Sequence, residues 1–222
     1  MIGGGKSETE AVTETPILAL VTCGPHLETA LVGPSLRTVS VVRLGGVAPR
    51  STLLLAAVDL LVEDAGISPG DIGKLVVSRG PGSFTGIRAG LATVAGLAAA
   101  TGAECVAYDS LLMQAARCPE EGTVWSAQPG RRGEVYARAF VLESRCPPRG
   151  VGEIEVVSVA DAHERGPWVA SEALDLGRSE RALTVRGAAE SLLLLTSLGV
   201  ESEPLEPLYV EGPPIHQRGG GD

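Results

Sequence analysis

The chain has 222 residues, with 27 acidic against 18 basic side chains and a net charge of −9. That balance argues against a chain that grips nucleic acid by itself, because phosphate neutralisation needs clustered Lys and Arg. The one small basic group, Arg131, Arg132 and Arg138, reads as solvated surface. A hydrophobic share of 44% supplies a core for one large domain or two lobes, and no unbroken run of eighteen apolar residues suggests a membrane span.

Residues 1–15 are polar and glycine-bearing and are expected to be disordered. The opening MIGGGKSETE has no apolar stretch of signal-peptide type, so a cytoplasmic setting is expected. Ile17 to Val21 reads as a buried strand, Gly24-Pro25 as a turn, and Glu28 to Val32 as a second strand. Thr38 to Arg43 alternates and reads as a third, giving an antiparallel meander. Ser51 to Ala65 is an amphipathic helix with Leu54, Leu55, Val58, Leu61 and Val62 as its apolar stripe. After the turn Ser68-Pro69-Gly70-Asp71, a short strand from Lys74 to Val77 leads into Gly80-Pro81-Gly82.

The helix that follows is the most distinctive stretch. Ser83 can cap it by accepting from first-turn N–H groups. From Ile87 to Ala100 only Arg88 and Thr93 have side chains that hydrogen-bond strongly. Spacing at about 100° per residue puts Phe84, Ile87, Leu91, Val94, Ala95 and Ala98 on one side. Gly82, Gly86, Ala89, Gly90, Thr93, Gly96, Leu97 and Ala100 fall on the other. The first side reads as a core stripe. The second is a smooth, apolar flank. Interior helix glycines cost about 1 kcal/mol each against alanine, so this flank is expected to be packed closely by another element or another subunit. Glu104 to Ala107 is then a short strand, and Asp109 caps a helix through Ala116.

Cys118 to Gly122 marks a lobe boundary. Beyond it come strands Thr123 to Ala127 and Glu134 to Leu142, joined through Arg131-Arg132-Gly133. Glu153 to Ser158 and Pro167 to Ala170 are further strands, Ala188 to Leu198 is a leucine-striped helix, and the tail from Pro204 is proline-rich. The predicted division is a disordered segment 1–15, a first α/β lobe 16–117, a smaller α/β lobe 118–211 and a flexible tail 212–222. Strand-rich openings of both lobes fit a duplicated fold.

Few residues carry recognisable chemistry. The phosphate-loop pattern fails, because Gly86 lies four rather than five after Gly82 and no lysine follows. The dinucleotide pattern fails because Thr85 stands where a glycine is needed. The helix N-terminus with Ser83, Thr85 and Arg88 remains a candidate anion site. No G-x-S-x-G occurs, and no histidine lies near Cys105 in sequence. The four cysteines show no C-x-x-C spacing and His26, His163 and His216 are scattered, so neither a metal site nor a cofactor is expected. No catalytic constellation stands out.

The string GPGSFTGIRAG followed by a small-residue helix resembles the TsaB (YeaZ) family, and its flanks agree in order. ILAL opens the first strand, LLVEDAGISPGDIGKLVVSRGPGSFTG keeps the family's spacing, RRGEVYARAF is similar to the segment D-A-R-x-G-E-V-Y, and PLYV matches the tail. The resemblance covers most of residues 16–211. It implies an ASKHA fold, the two-lobed architecture of actin and sugar kinases, with mixed sheets in both lobes; the second lobe of this chain looks reduced against that pattern. It also implies a non-catalytic dimerisation subunit for threonylcarbamoyladenosine (t6A) formation in tRNA. Such a subunit pairs with a TsaD-like catalytic paralogue through its first-lobe helices, works with a TsaE-like ATPase, self-pairs when alone, and meets tRNA only through the complex. The expected partner face is Gly82, Ser83, Gly86, Ala89, Gly90, Thr93, Gly96 and Leu97.

Three positions depart from the family pattern. Val21 stands where an aspartate near a nucleotide's metal is usual, Pro129 replaces the aspartate of D-A-R, and Glu211 replaces the arginine after Tyr-Leu. Valine cannot ligate magnesium, so no ATP hydrolysis is expected. The alternatives are a glycoprotease-like or nucleotide-binding enzyme, or a diverged self-associating scaffold.

Overall fold

The computed structural model describes residues 15–33, 39–45, 50–131, 133–162, 165–170, 174, 176 and 180–211. The expected disorder of residues 1–14, the flexible tail 212–222, Thr38, Arg132, His163 and His216 lie outside the described residues.

The first sheet is built from β1 (Ile17–Val21), β2 (Leu27–Val32), β3 (Ser40–Leu44), β4 (Lys74–Ser78) and β5 (Glu104–Tyr108), in the order β3-β2-β1-β4-β5. β1, β2 and β3 form the expected antiparallel meander, while β1, β4 and β5 run parallel. Parallel neighbours need a crossover, and α2 (Phe84–Thr101) supplies it between β4 and β5. α1 (Arg50–Asp64) packs beside α2. All five residues of β1 are buried, as an apolar strand covered on both faces requires.

The second sheet has the order β8-β7-β6-β9, from β6 (Gly122–Pro129), β7 (Glu134–Leu142), β8 (Arg149–Ser158) and β9 (Trp168–Ala170). Its antiparallel meander and its parallel fourth strand repeat the first sheet strand for strand, without a counterpart of β5. This duplicated arrangement is that of an ASKHA-like fold with a smaller second lobe. A short α4 (Val159–Ala162), not foreseen in the sequence, follows β8. Its last carbonyl, with that of Arg165, accepts from the buried Trp168 indole N–H at 3.1 and 2.7 Å.

The lobes are interwoven. α3 (Ser110–Ala115) sits between the sheets, with Leu111 and Ala115 in the second-lobe core and Met113 in the first. α5 (Ala188–Ser197), placed in the second lobe from sequence, packs instead on β1, β2 and β4. Its Leu192, Leu193 and Leu195 join the first core, each burial contributing about 1.5–3 kcal/mol. The buried Glu28 carboxylate directs this docking. It accepts from the N–H groups of Ala188 (2.7 Å) and Ala189 (3.3 Å) and pairs with Arg43 (3.2 Å). A carboxylate at a helix N-terminus satisfies orphan donors and suits the helix dipole.

α2 also corrects the sequence reading. It has the pitch expected but is turned by about a quarter of a revolution. Gly86, Ile87, Gly90, Leu91 and Val94 are its buried residues, whereas Phe84, Ala92, Ala95, Gly96, Ala99 and Ala100 face outward. The reason lies at the end of β1. A Cβ at Gly86 would collide with the Thr22 carbonyl oxygen, one at Gly90 with the Thr22 hydroxyl, and one at Gly82 would lie 2.6 Å from the Cys23 carbonyl. Gly82 also has φ +148°, a conformation other residues rarely adopt. Leu55 of α1, expected in the apolar stripe, is likewise outward and 52% exposed.

By length and composition α2 also meets the requirement for a membrane span, at 18 residues and mean hydropathy 1.2, against the sequence expectation of none. Here it is the crossover between two paired strands and presses five residues into the core.

Two glycine substitutions on this one helix should therefore act in opposite directions. Gly86→Ala is expected to lower stability by about 1–3 kcal/mol through overpacking against Thr22. Gly96→Ala, with nothing within 4 Å of the added methyl, is expected to raise it by about 0.5–1 kcal/mol. Urea unfolding of the two variants checks both signs.

Candidate partner interface

The outward face of α2 is unusually smooth. Ala92, Ala95, Gly96, Ala99 and Ala100 are all exposed. On the neighbouring α1, Leu55 and Leu60 are 52% and 56% exposed. Phe84, at the start of α2, is 49% exposed, stacks on Tyr209 at 5.2 Å between ring centroids, and carries the Arg88 guanidinium 5.3 Å from its own centroid. Alanines and glycine let another backbone approach closely, while large exposed apolar side chains provide area to bury.

The residues expected to form the partner face are thus divided. Gly86 and Gly90 are buried against Thr22, and Gly82 is pressed on Cys23. Ser83, Ala89, Thr93 and Leu97 are half-buried, and Gly96 is open. Ala92, Ala95 and Ala99, which face outward beside Gly96, were not among the residues expected on that face. Their absence of polar atoms was the available signal, but alanine reads equally well as core filler.

Of the candidate anion-site residues, Ser83 and Arg88 have partners within the chain. Ser83 Oγ accepts from the Gly86 N–H at 3.3 Å, the Ser83 carbonyl accepts from the Ile87 N–H at 2.8 Å, and Arg88 lies over Phe84. The loop itself is stitched to β1: the Ser83 N–H donates to the Cys23 carbonyl at 2.9 Å, and the Thr22 hydroxyl donates to the Gly86 carbonyl at 2.7 Å.

Between the lobes, Val21, Gly24, Pro25, His26, Glu28, Met113, Gln114, Arg117 and Gln128 line an open cleft. Val21, among these, is buried. Gln128 is fully buried, yet neither of its amide atoms meets a protein partner. Among the described residues no group of three His, Cys, Asp or Glu could hold a metal ion. Asp109 caps α3 by accepting from the Leu111 N–H at 2.6 Å. Burial pushes its carboxyl up to about 6, against the lowering effect of that bond and of Arg138 and Arg79.

Residues 37–147, half of the chain, match the family model described as TsaD: tRNA N6-adenosine threonylcarbamoyltransferase. Over most of its length the chain superposes on YeaZ from Pseudomonas aeruginosa, with a TM-score of 0.68, 25% identity and coverage of 88% of this chain and 100% of that one. The curated relatives narrow the choice. The Bacillus subtilis tRNA threonylcarbamoyladenosine biosynthesis protein TsaB is 33% identical over 107 residues, 46% of this chain. The chain belongs to the TsaB/YeaZ family. The Escherichia coli TsaB is 28% identical over 144 residues, 64% of this chain. These alignments span 47% and 62% of the curated TsaB proteins' own lengths. A second solved structure, described as similar to peptidase YeaZ from Pseudomonas aeruginosa, shares the fold at 23% identity and a TM-score of 0.68.

Two substitutions check the electrostatics of this TsaB-type chain. The folded state holds the Asp109 proton more tightly than the unfolded chain, so this contribution is fully present below about pH 4 and is lost as pH rises through about 6. Asp109→Asn keeps the capping oxygen and cannot ionise. Its melting temperature relative to the parent should climb between pH 4 and pH 7. Gln128→Met removes an unpartnered amide at nearly constant volume and is expected to raise stability by about 1 kcal/mol or more in thermal melts.

Proposed function

We propose that the chain is a non-catalytic subunit in tRNA threonylcarbamoyladenosine formation, and that it holds a TsaD-like catalytic paralogue against the exposed faces of α1 and α2. The observation that carries this reading is the row Ala92, Ala95, Gly96, Ala99 and Ala100. It is small, apolar and exposed, and the neighbouring α1 adds the exposed Leu55 and Leu60. The family model names the transferase and the curated relatives are named for the same biosynthesis, which supports a paralogous pair. Val21 in the cleft lining supports the non-catalytic half of the reading, since its side chain offers a hard cation no oxygen at that position. In this account self-pairing uses the same helices, a TsaE-like ATPase joins the pair, and tRNA is met through the assembly. The net charge of −9 fits indirect contact with RNA.

The competing enzyme reading has the peptidase-like description of one solved relative in its favour. Hydrolysis of a peptide by the purified chain would establish it. Persistence of the modified nucleoside after depletion of the chain would instead favour a scaffold with another task.

Ala95→Arg tests the interface. The side chain is exposed, so the melting temperature should stay near that of the parent, while affinity for the TsaD-like paralogue falls on the order of tenfold or more by calorimetry. Unchanged affinity would place the interface elsewhere.

A further inference from the structure

The C-terminal segment does more than finish the chain. After α5 it turns back along the open edge of the first sheet. The Tyr108 hydroxyl donates to the Val200 carbonyl at 3.1 Å, the Ala107 N–H donates to Ser202 Oγ at 3.1 Å, and the Glu203 N–H donates to the Ala107 carbonyl at 2.9 Å. It then crosses the glycine loop. The Leu208 N–H donates to the Arg79 carbonyl at 2.8 Å, and the Arg79 guanidinium donates to the Glu206 carbonyl at 3.2 Å and pairs with Glu203 at 3.4 Å. A Cβ at Gly80 would lie 2.7 Å from the Leu208 carbonyl oxygen, and Tyr209 covers one face of Phe84. Finally Glu211 reaches the second lobe, where its carboxylate accepts from the Tyr136 hydroxyl at 3.0 Å and pairs with Arg131 at 3.2 Å.

The two ends of this strap are held differently. Residues 200–208 are fixed to the first lobe by several contacts along β5 and the loop, two of them between backbone groups. Glu211 is fixed to the second lobe by side chains alone, in an ion pair whose partners are 49% and 25% exposed. An ion pair so open to water is weak and screened by salt. Glu211, one of the departures from the family pattern, thus meets the hairpin that carries another, Pro129.

We propose that residues 200–211 are a latch. The weak Glu211 contact with Arg131 and Tyr136 releases first, and its release loosens the strap from Arg79 to Phe84, so that the position of the second lobe and the ordering of the loop that starts α2 are coupled. A contact made at either end biases the other, as linkage requires. This inference stands independently of the t6A reading, since it rests only on contacts within the chain.

Hydrogen exchange of the full chain, read by mass spectrometry, tests it with two surface variants. Glu211→Gln removes the charge, and Glu211→Arg sets like charges against each other. Both should melt cooperatively. Exchange in residues 79–84 and in β7 should rise about fivefold in Glu211→Gln and further in Glu211→Arg, while β1 and β2 stay unchanged. Raising salt from about 0.05 to 0.5 M should speed exchange at the same places in the parent and not in Glu211→Gln. Faster exchange confined to residues 209–211 would overturn the coupling, and so would parent-like exchange at residues 79–84 in Glu211→Arg.

Discussion

The close approach of α2 to the end of β1 is the constraint on which the rest depends. Gly82, Gly86 and Gly90 lack the side chains that would hold the helix off, so Thr22 and Cys23 lie directly against its backbone. The loop is then fixed by two hydrogen bonds, Ser83 N–H to Cys23 and Thr22 hydroxyl to Gly86. With that side closed, rotation about the helix axis is settled. Ile87, Leu91 and Val94 enter the core, and the alanines face away from it. The glycines thus serve the fold, and the smooth alanine face is what their packing leaves on the other side.

A second consequence concerns the lobes. The two sheets share one plan, yet they are not separate bodies joined by a linker. α3 contributes to both cores, α5 returns to the first sheet under the direction of Glu28, and the strap runs from β5 to Tyr136. Burial of α5 and α3 is largely apolar and resists opening. The strap's far end is polar and half-wet, so any relative movement of the lobes begins there.

Much of this fold was legible in the sequence. β1, β4 and β5 are short apolar runs between turn residues, and the caps Ser83 and Asp109 mark helix starts through their own side-chain chemistry. The motif GPGSFTGIRAG carried the family. Rotational phase was not legible. In a helix of alanine and glycine the hydrophobic pattern is nearly the same around the axis, so Phe84 and Ala95 passed as core, and Gly86 and Gly90 as a flank packed by either another element or another subunit. Which face is inward is decided by Thr22, more than sixty residues away, and local periodicity holds no such information. The same limit hid α5, whose leucine stripe announces a buried helix but not the sheet it covers. Glu28 looked like an ordinary strand residue until its partners, 160 residues on, were seen.

Cysteine footprinting along α2, with and without the TsaD-like paralogue, tests the account most directly. Ala99→Cys offers an outward thiol on the alanine row, and the native exposed Cys146 of the second lobe serves as an internal reference. The account predicts rapid maleimide labelling at position 99 in the isolated chain when monomeric, and slowing on the order of tenfold or more on adding the paralogue, with Cys146 unaffected. Equal labelling at position 99 with the paralogue bound would contradict it.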